Sequence, residues 1–434
     1  MHLALFCPPY KSHIAVFQCL AGALERRGHR VTLMVNAGVE PFLDQHVPVA
    51  TIEGTSRAEI EAIIARAAAP GGPLGILRTV HDGVTLSEAI CRSAPSRLAA
   101  LRVDAIVADQ TEPAAGLVAR FLNLPLISIA CAVPMERGSG IPLPFLPWPY
   151  DASEKGLKRN AGGERVSRLL LSEQRRLIRR WAGRFALAGD FDDLLSCSSD
   201  LATIAQITTE FDFPRENAGL LHCVGPIRDA VPAAPLPIEP EPGRPFVFMS
   251  LGTLQGHRFR LFKTVAAACR KIGAQLLVAH CGGLSKSQEK ALGATWVTDF
   301  VPQRAVLERA DLCVTHGGIN TVLDALSCGT PMLVLPIAFD QPGVGARVVH
   351  HGVGLRLSPR FLTQGRVTEA LARLLADPTY AQRASAFGGR ITAAGGLQEA
   401  ASLIEDRVDA RLAGGRGAVL RSPDPSLADR TTSA

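Results

Sequence analysis

The chain has 434 residues, of which 47% are hydrophobic, with 40 glycines and 30 prolines. This length exceeds what one hydrophobic core supports, so we expect two domains, and the composition excludes a fibrous or disordered protein. A formal net charge of +6, without a basic run interleaved with aromatic residues, argues against nucleic acid as a partner.

The first 35 residues predict a β-α-β unit: a strand at 3–7, a helix at 14–27 that ends at Gly28, and a strand at 31–35. Pro8 and Pro9 cut the first apolar run before it reaches the length of a signal sequence, and no run reaches the roughly 18 to 20 residues of a membrane span. The ten cysteines lie scattered in apolar runs, so we expect reduced core thiols and a cytoplasmic protein.

The same alternation returns twice along the chain. It predicts strands at 105–108 and 126–130 around a helix at 114–122, and then, after residue 244, strands at 245–250, 275–279, 312–315 and 332–335 with helices at 261–272 and 320–327. Strands and helices that alternate at this spacing are typical of parallel sheets, so the sequence predicts an α/β fold with two such sheets.

Composition divides the chain into four parts. Proline is dense between the two halves, which favours an extended connection there, and the last residues are rich in Gly, Ser, Arg and Asp, which favours disorder. We expect an N-terminal acceptor-binding domain at 1–228, a linker at 229–244, a C-terminal donor-binding domain at 245–411, and a disordered tail at 412–434.

A basic segment at 155–184 contains ten Lys or Arg against two Glu, with leucines and Trp181 between them. A helix of this composition lies on an anionic membrane surface or beside a long apolar ligand. An ordinary solvated helix over the acceptor domain has the same composition, so both interpretations stay open.

A glycine loop joins a predicted strand to a predicted helix at 315–324, which reads Thr-His-Gly-Gly-Ile-Asn-Thr-Val-Leu-Asp. Gly317 and Gly318 allow close approach of the backbone, and the following helix start offers free N–H groups. His316, Asn320 and Thr321 add side-chain donors. The segment therefore predicts a phosphate cradle.

Three flanking segments, 297–303, 329–336 and 339–343, complete a pattern that resembles the nucleotide-sugar signature of UDP-dependent glycosyltransferases. That family includes plant and mammalian enzymes and bacterial macrolide glycosyltransferases. The resemblance implies the GT-B fold, two Rossmann-like domains that face each other across a cleft. It also implies a UDP-glucose co-substrate, without a cofactor or a metal.

The family pattern implies a role for each matching residue on the donor side. Two positions depart from it: Phe300 and Val301 stand where plant members carry Trp and Ala, and Asp324 is one methylene shorter than their Glu. The implied donor-binding residues are Ser250, Gly252 and Thr253 in the closing loop, Val301 and Gln303 at the base, Asp324 at the ribose, His316, Gly317, Gly318, Asn320 and Thr321 at the diphosphate, and Asp340 and Gln341 at the sugar.

The catalytic pair implied by the resemblance lies in the first half. His13 follows the first strand, and the alcohol that it would deprotonate has a pKa far above neutrality, so a positioned general base is needed. Asp109, at the end of a strand, would orient His13 and offset its charge. Asp109 would also cap the helix that follows, and the two roles are compatible.

A metal-dependent alternative rests on the D-x-D spacing at Asp190 and Asp192. We interpret this segment instead as an acidic helix start, because it is far in sequence from the cradle.

Other stretches, 109–116, 128–134, 250–258 and 338–343, resemble the carotenoid-modifying members of the family. They imply zeaxanthin as the lipophilic acceptor, glucosylated with inversion on each ionone ring. Segments 141–148 and 155–184 would then form groove walls and a peripheral membrane contact. A macrolide or other lipophilic acceptor, a nucleotide-sugar epimerase and a carotenoid-binding protein without catalysis remain as alternatives.

Overall fold

The computed structural model describes residues 1–44, 46–69, 72–229, 235–236 and 238–414, and its strands form two separate parallel sheets. The first sheet contains β1 (His2–Phe6), β2 (Arg30–Asn36), β3 (Val49–Ile52), β4 (Ala105–Asp109), β5 (Leu126–Ala130), β6 (Thr203–Ala205) and β7 (Leu221–Cys223), in the order β3-β2-β1-β4-β5-β6-β7. Its helices are α1 (Lys11–Arg26), α2 (Arg57–Ala68), α3 (Gly72–Leu101), α4 (Pro113–Phe121), α5 (Glu154–Leu170) and α6 (Ser172–Arg184).

The second sheet has the order β10-β9-β8-β11-β12-β13. Its strands are β8 (Phe246–Ser250), β9 (Gln275–Ala279), β10 (Trp296–Thr298), β11 (Leu312–Thr315), β12 (Met332–Val334) and β13 (Gly354–Arg356). The helices that accompany it are α7 (Gly252–Gln255), α8 (Phe259–Lys271), α9 (Lys286–Leu292), α10 (Gln303–Leu307), α11 (Ile319–Ser327), α12 (Gln341–His350), α13 (Gln364–Ala376) and α14 (Thr379–Ala393), and α15 (Gly396–Gly414) follows them.

The central strands are buried along their whole length because helices cover both faces of each sheet. β1, β4 and β8 have no exposed residue, and each is a continuous apolar run except for one terminal polar residue. This confirms the predicted α/β fold with two parallel sheets. The predicted strands at 126–130, 275–279 and 312–315 coincide with β5, β9 and β11.

The last helix returns to the first half. Leu397, Ile404 and Val408 of α15 are buried in the core that β1 and α1 build. Glu405 accepts a hydrogen bond from Arg27 at 2.6 Å and contacts His29 Nε2 at 2.7 Å. By sequence α15 belongs to the expected second domain, 245–411, yet its packing partners are those of the first sheet.

Two regions differ in detail from the sequence-based expectation. The basic segment forms two helices, α5 and α6, which meet at Leu171. The D-x-D segment precedes a short 3-10 helix, Leu195–Cys197, with Asp193 accepting a hydrogen bond from the Ser196 N–H at 3.0 Å. The predicted linker lies partly, and the predicted tail almost wholly, outside the described residues.

Two further features concern the cysteines and the character of the helices. The ten cysteines are all unpaired, and six of them are buried. Among the helices of the described residues, none combines the length and the apolar character required to cross a bilayer.

Candidate active site

The candidate site lies where the strand order reverses in each sheet. β1 and β4 are neighbours in the first sheet, and β8 and β11 are neighbours in the second. Parallel sheets bind ligands beyond the carboxyl ends of such strand pairs, because the connecting chains leave in opposite directions and open a crevice. His13 follows β1, Asp109 ends β4, Ser250 ends β8, and His316 follows β11.

His13 and Asp109 are in direct contact. The distance from His13 Nδ1 to Asp109 Oδ2 is 2.8 Å, and the Asp109 side chain is fully buried. The second carboxylate oxygen, Oδ1, accepts hydrogen bonds from the Thr111 N–H at 2.8 Å and the Thr111 hydroxyl at 2.5 Å. Because Nδ1 donates to the carboxylate, the neutral imidazole keeps its lone pair on Nε2. Asp109 thus orients His13 and also closes the turn before α4.

The charges around His13 come from both halves of the molecule. Burial lowers the pKa of His13, but the charge and hydrogen bond of Asp109, with a contribution from Asp340, outweigh it and raise the pKa above its ordinary value. Burial raises the pKa of Asp109, and His13 and Thr111 reverse this to a net lowering. Since Asp340 belongs to the second half, the imidazole of His13 faces the crevice between the sheets.

His316 lies between two glycines. A Cβ on Gly252 would be 2.7 Å from His316 Cε1, and one on Gly318 would be 2.5 Å from Nε2, so neither position has room for a side chain. Gly252 and Gly317 also have positive φ values of 71° and 88°. Burial lowers the pKa of His316 to about 4, so the ring is neutral at pH 7. It offers a hydrogen bond to a diphosphate but no charge.

Gln303, Thr321 and Asp324 form a hydrogen-bonded group beside the cradle. Gln303 Nε2 donates to Asp324 Oδ2 at 2.6 Å, and the Thr321 hydroxyl donates to Gln303 Oε1 at 3.4 Å. The guanidinium of Arg228 forms an ion pair with Asp324 Oδ1 at 2.6 Å, without hydrogen-bond geometry. Sequence reasoning missed Arg228. The one feature that could have indicated it is its position between an apolar run and the proline-rich segment.

Asp340 and Gln341 stand at the start of α12. Gln341 Oε1 accepts from the Ile337 and Ala338 N–H groups at 2.8 and 2.9 Å, so its carbonyl holds the loop and its NH₂ group remains for a ligand. Asp340 Oδ2 is buried and has no hydrogen-bond partner among the described residues. A buried oxygen without a partner is costly, so this atom suits the hydroxyl of a bound sugar.

The remaining predicted residues have fewer contacts. Ser250 is buried, and its hydroxyl accepts from the Gly252 N–H at 3.3 Å. Thr253 is exposed in α7, Asn320 is partly buried in the first turn of α11, and Val301 is partly buried against the second core. Their roles stay predictions.

Glu112 is a buried carboxyl group that sequence reasoning did not single out. The Ser87 hydroxyl donates to its Oε1 at 2.9 Å. Burial raises the pKa of Glu112 to about 7, with Asp109 adding to the effect and Ser87 opposing it. Glu112 stands in the sequence Thr-Glu-Pro before a helix, and a glutamate at such a position is ordinarily an exposed residue of the helix N-terminus.

Within the described ranges, two groups of side chains have the spacing of metal ligands, but their chemistry favours other roles. In the first, His13 and Asp109 lie near Cys131, whose thiol pKa burial raises, so the thiol stays protonated. In the second, His280 Nδ1 accepts from the Leu284 N–H at 3.1 Å, so Nε2 carries the proton. That nitrogen lies 3.3 Å from an Asp299 oxygen and 3.4 Å from a Glu289 oxygen, without hydrogen-bond geometry.

Of the two D-x-D carboxylates, Asp192 is engaged in ion pairs within the first half, and Asp190 is exposed. Asp192 pairs with Arg175 and, at 3.4 Å, with Arg179, and the neighbouring Asp193 pairs with Arg137 at 2.8 Å. The two arginines therefore account for the Asp192 carboxylate.

The comparisons with known proteins cover nearly the whole chain. A family model described as UDP-glucoronosyl and UDP-glucosyl transferase matches residues 77–387. The zeaxanthin glucosyltransferase of Pantoea ananas is 39% identical over 93% of this chain and 95% of its own length. The zeaxanthin glucosyltransferase of Pseudescherichia vulneris is 39% identical over 94% of this chain and 98% of its own length.

Many solved structures share the fold, and two of them serve as examples. The glycosyltransferase of kitacinnamycin superposes with a TM-score of 0.74 at 22% identity, covering 94% of this chain and 99% of its own. The calicheamicin glycosyltransferase CalG4 superposes with a TM-score of 0.72 at 22% identity, covering 94% of this chain and 98% of its own. The arrangement of the two sheets is therefore that of GT-B glycosyltransferases.

Proposed function

Because the chain belongs to the family of UDP-glucuronosyl and UDP-glucosyl transferases, we propose that it transfers glucose from UDP-glucose to the hydroxyl groups of zeaxanthin, giving the monoglucoside and then the diglucoside. Transfer of a hexose from a UDP-sugar follows from the family. The glucose donor and the zeaxanthin acceptor are supported by the two zeaxanthin glucosyltransferases that match over nearly their whole length.

The His13–Asp109 contact at 2.8 Å carries the mechanistic part of the proposal. Nε2 of His13 takes the proton of the acceptor hydroxyl while the acceptor oxygen bonds to the anomeric carbon of the sugar. The bond from that carbon to the diphosphate breaks in the same step, and UDP leaves with the electron pair. A single displacement inverts the anomeric centre.

The second half stabilises the leaving group. The neutral His316 ring and the free N–H groups at the start of α11 donate hydrogen bonds to the diphosphate oxygens as charge develops on them. Asp340 Oδ2 accepts from a sugar hydroxyl, which places the anomeric carbon between the cradle and His13.

We also propose a peripheral membrane contact near the acceptor side, because zeaxanthin is a long apolar molecule. The contacts of His81 with Glu173 and of Trp181 with Glu88, both at 2.8 Å, show that α3 and α6 run parallel. The exposed side chains at the start of α3 therefore lie beside the junction of α5 and α6. The exposed apolar residues of this region are Leu74, Ile76, Leu77, Val166 and Leu169, with Arg78, Arg165 and Arg168 exposed around them.

The reaction is tested by incubating the protein with UDP-glucose and zeaxanthin in lipid vesicles, followed by chromatography and mass spectrometry. Carotenoid products that are heavier by one and by two hexose residues support the proposal. Absence of any glucoside, with transfer to a macrolide or release of an altered sugar nucleotide instead, would establish one of the alternative functions. The His13→Ala variant is the control for non-enzymatic products.

The membrane contact is tested by sedimentation with vesicles. Binding to vesicles with anionic lipid, lost in the Leu77→Ser and Leu169→Ser double variant, is the expected result. Equal sedimentation of the double variant and the parent protein would contradict this surface assignment.

A further inference from the structure

Arg228 links the two halves at the edge of the donor site. It follows Ile227, which is 1% exposed in the first core, and its side chain reaches Asp324 on α11 of the second half. The Asp324 side chain is 8% exposed and that of Arg228 is 25% exposed, so a partly exposed guanidinium covers a buried carboxylate.

Asp324 is already engaged on both oxygens. Oδ2 accepts from Gln303, and Oδ1 faces Arg228. A carboxylate accepts about four hydrogen bonds, so each oxygen keeps capacity for one ligand hydroxyl. The guanidinium has five N–H donors, and within the described part of the chain Arg228 forms no contact to a hydrogen-bond acceptor apart from Asp324.

The two side chains offer complementary groups to a ribose ring. Each ribose hydroxyl is both a donor and an acceptor, so a carboxylate alone satisfies half of its capacity. Asp324 accepts the hydroxyl protons, and the neighbouring guanidinium donates to the hydroxyl oxygen. An aspartate is one methylene shorter than a glutamate, and the adjacent long arginine side chain extends the reach of the pair.

We propose that Arg228 and Asp324 act together as one ribose-binding unit, and that Arg228 makes the protein select ribonucleotide over 2′-deoxyribonucleotide donors. This inference rests on the proposed UDP-sugar donor. A 2′-deoxyribose would leave the remaining acceptor capacity of one Asp324 oxygen and one guanidinium N–H without the hydroxyl that a ribose supplies, and unpaired polar groups of this kind produce strong discrimination.

The test is calorimetric binding of UDP and of 2′-deoxy-UDP to the full chain and to the Arg228→Gln variant. The parent protein is expected to bind UDP at least about tenfold more tightly than 2′-deoxy-UDP. Arg228→Gln is expected to weaken UDP binding by about tenfold and to reduce the preference for UDP below about threefold.

Asp229→Asn provides a matched control at the next position. Asp229 forms an exposed pair with Arg26, with both side chains more than half exposed, so the variant is expected to keep UDP affinity within about twofold. Arg228→Lys keeps the positive charge but loses the two-pronged guanidinium donor, and it is expected to retain part of the preference for UDP over 2′-deoxy-UDP. A partial effect in this variant shows that the loss in Arg228→Gln does not come from misfolding.

Three outcomes would overturn the inference. Arg228→Gln could weaken UDP and 2′-deoxy-UDP by the same factor, which would make Arg228 a general support of the site. The parent protein could bind both nucleotides equally. If it bound neither, the proposed UDP-sugar donor would fall as well, and this result is distinct from the other two.

Discussion

Two carboxylates from opposite halves of the molecule set the protonation of His13. Asp109 holds Nδ1, and Asp340 acts from across the crevice; together they outweigh the effect of burial and raise the pKa of the imidazole. As the proposed general base, His13 needs a neutral ring, so its working range begins above the raised pKa. The proposed base is therefore tuned by the same residue that is proposed to bind the sugar.

We expect the acid limb of the pH profile of kcat/KM to lie above pH 6.5, the ordinary pKa of histidine. Asp340→Asn removes one of the two negative charges, so the limb should move to lower pH in addition to any loss of rate. A limb that stays in place in Asp340→Asn would show that the side chains of Asp340 and His13 are not coupled.

His13→Ala should lower kcat by about 10²-fold to 10⁴-fold while UDP binding is kept.

Glu112 makes the stability of the first half depend on pH. Its pKa is raised from 4.5 to about 7, so the folded state binds the proton more tightly than the unfolded state, and stability falls as the pH rises from about 4.5 to 7. Glu112→Gln should remove this fall and raise the free energy of unfolding at pH 8 by up to about 3 kcal/mol. Denaturant unfolding at pH 5 and pH 8 measures it, with the exposed Glu53→Gln as control. An unchanged pH dependence would contradict the assignment.

The glycines beside His316 provide a third test. Gly252→Ala should displace the imidazole and raise the KM for the sugar nucleotide about tenfold or more, because the new Cβ would lie 2.7 Å from Cε1. Gly273→Ala is the matched control, since Gly273 has nearly the same φ, 70° against 71°, and open space around it. Both variants carry the backbone strain, but we expect weaker donor binding in Gly252→Ala alone. Equal KM values would argue against a steric role.

The sequence pattern placed His13, Asp109 and the segment around His316 at strand ends, because each lies at the end of an apolar run. The roles of His13 and Asp109 came from the resemblance to the family and not from that pattern. Arg228 and Glu112 were not recognisable, since an arginine after a strand and a glutamate before a helix are ordinary surface residues until packing places them in a site. The residue roles themselves stay predictions.

At the scale of elements, long and strongly apolar segments were predictable and short ones were not. β5, β9 and β11 match the predicted bounds because a strand buried on both faces is an unbroken apolar run. β6 and β7 have three residues each, too few to show the two-residue alternation of a strand. They form because the neighbouring strands of the sheet provide their hydrogen-bond partners. The basic segment divides at Leu171, where α5 and α6 meet, and the basic composition of the segment does not mark this break.

The last helix supplies a prediction of its own. Ile404 of α15 is fully buried against the first core, so Ile404→Ala should lower the free energy of unfolding by about 2 to 5 kcal/mol. Asp406→Ala, on the exposed face of the same helix, should change it by about 0.5 kcal/mol or less. Thermal or denaturant unfolding distinguishes the two. A loss below about 1 kcal/mol in Ile404→Ala would mean that the helix contributes little to the first half.

At the scale of the whole molecule, a buried cluster of charges joins the halves. Arg347 on α12 is 1% exposed, and its Nε and one terminal nitrogen donate to Asp212 Oδ1 at 2.8 and 2.6 Å. Arg215 donates to the other oxygen at 2.7 Å, and the Arg347 guanidinium stacks on Phe213, 4.3 Å from the ring centroid. α12 begins beside Asp340, so this cluster anchors the helix that carries the proposed sugar site.

Asp212→Ala should destabilise the protein by about 3 to 5 kcal/mol, because it leaves two buried guanidinium groups without their carboxylate. The exposed pair of Glu241 and Arg244 offers a contrast, and Glu241→Ala should change stability by less than about 1 kcal/mol. Scanning calorimetry measures both, and we expect the Asp212→Ala transition to broaden or split as the halves uncouple. A single sharp transition at the parent temperature would contradict the anchoring role.

The return of α15 to the first half has a consequence for biosynthesis. The Gly396 N–H donates to the Val224 carbonyl at 2.7 Å, so the chain leaves the first half and re-enters it at adjacent points. The hydrophobic surface that α15 covers on α1 stays exposed to solvent or to chaperones until α15 has emerged from the ribosome. Folding of the N-terminal half during translation should therefore stop short of completion, in contrast to domains that fold in strict order of synthesis.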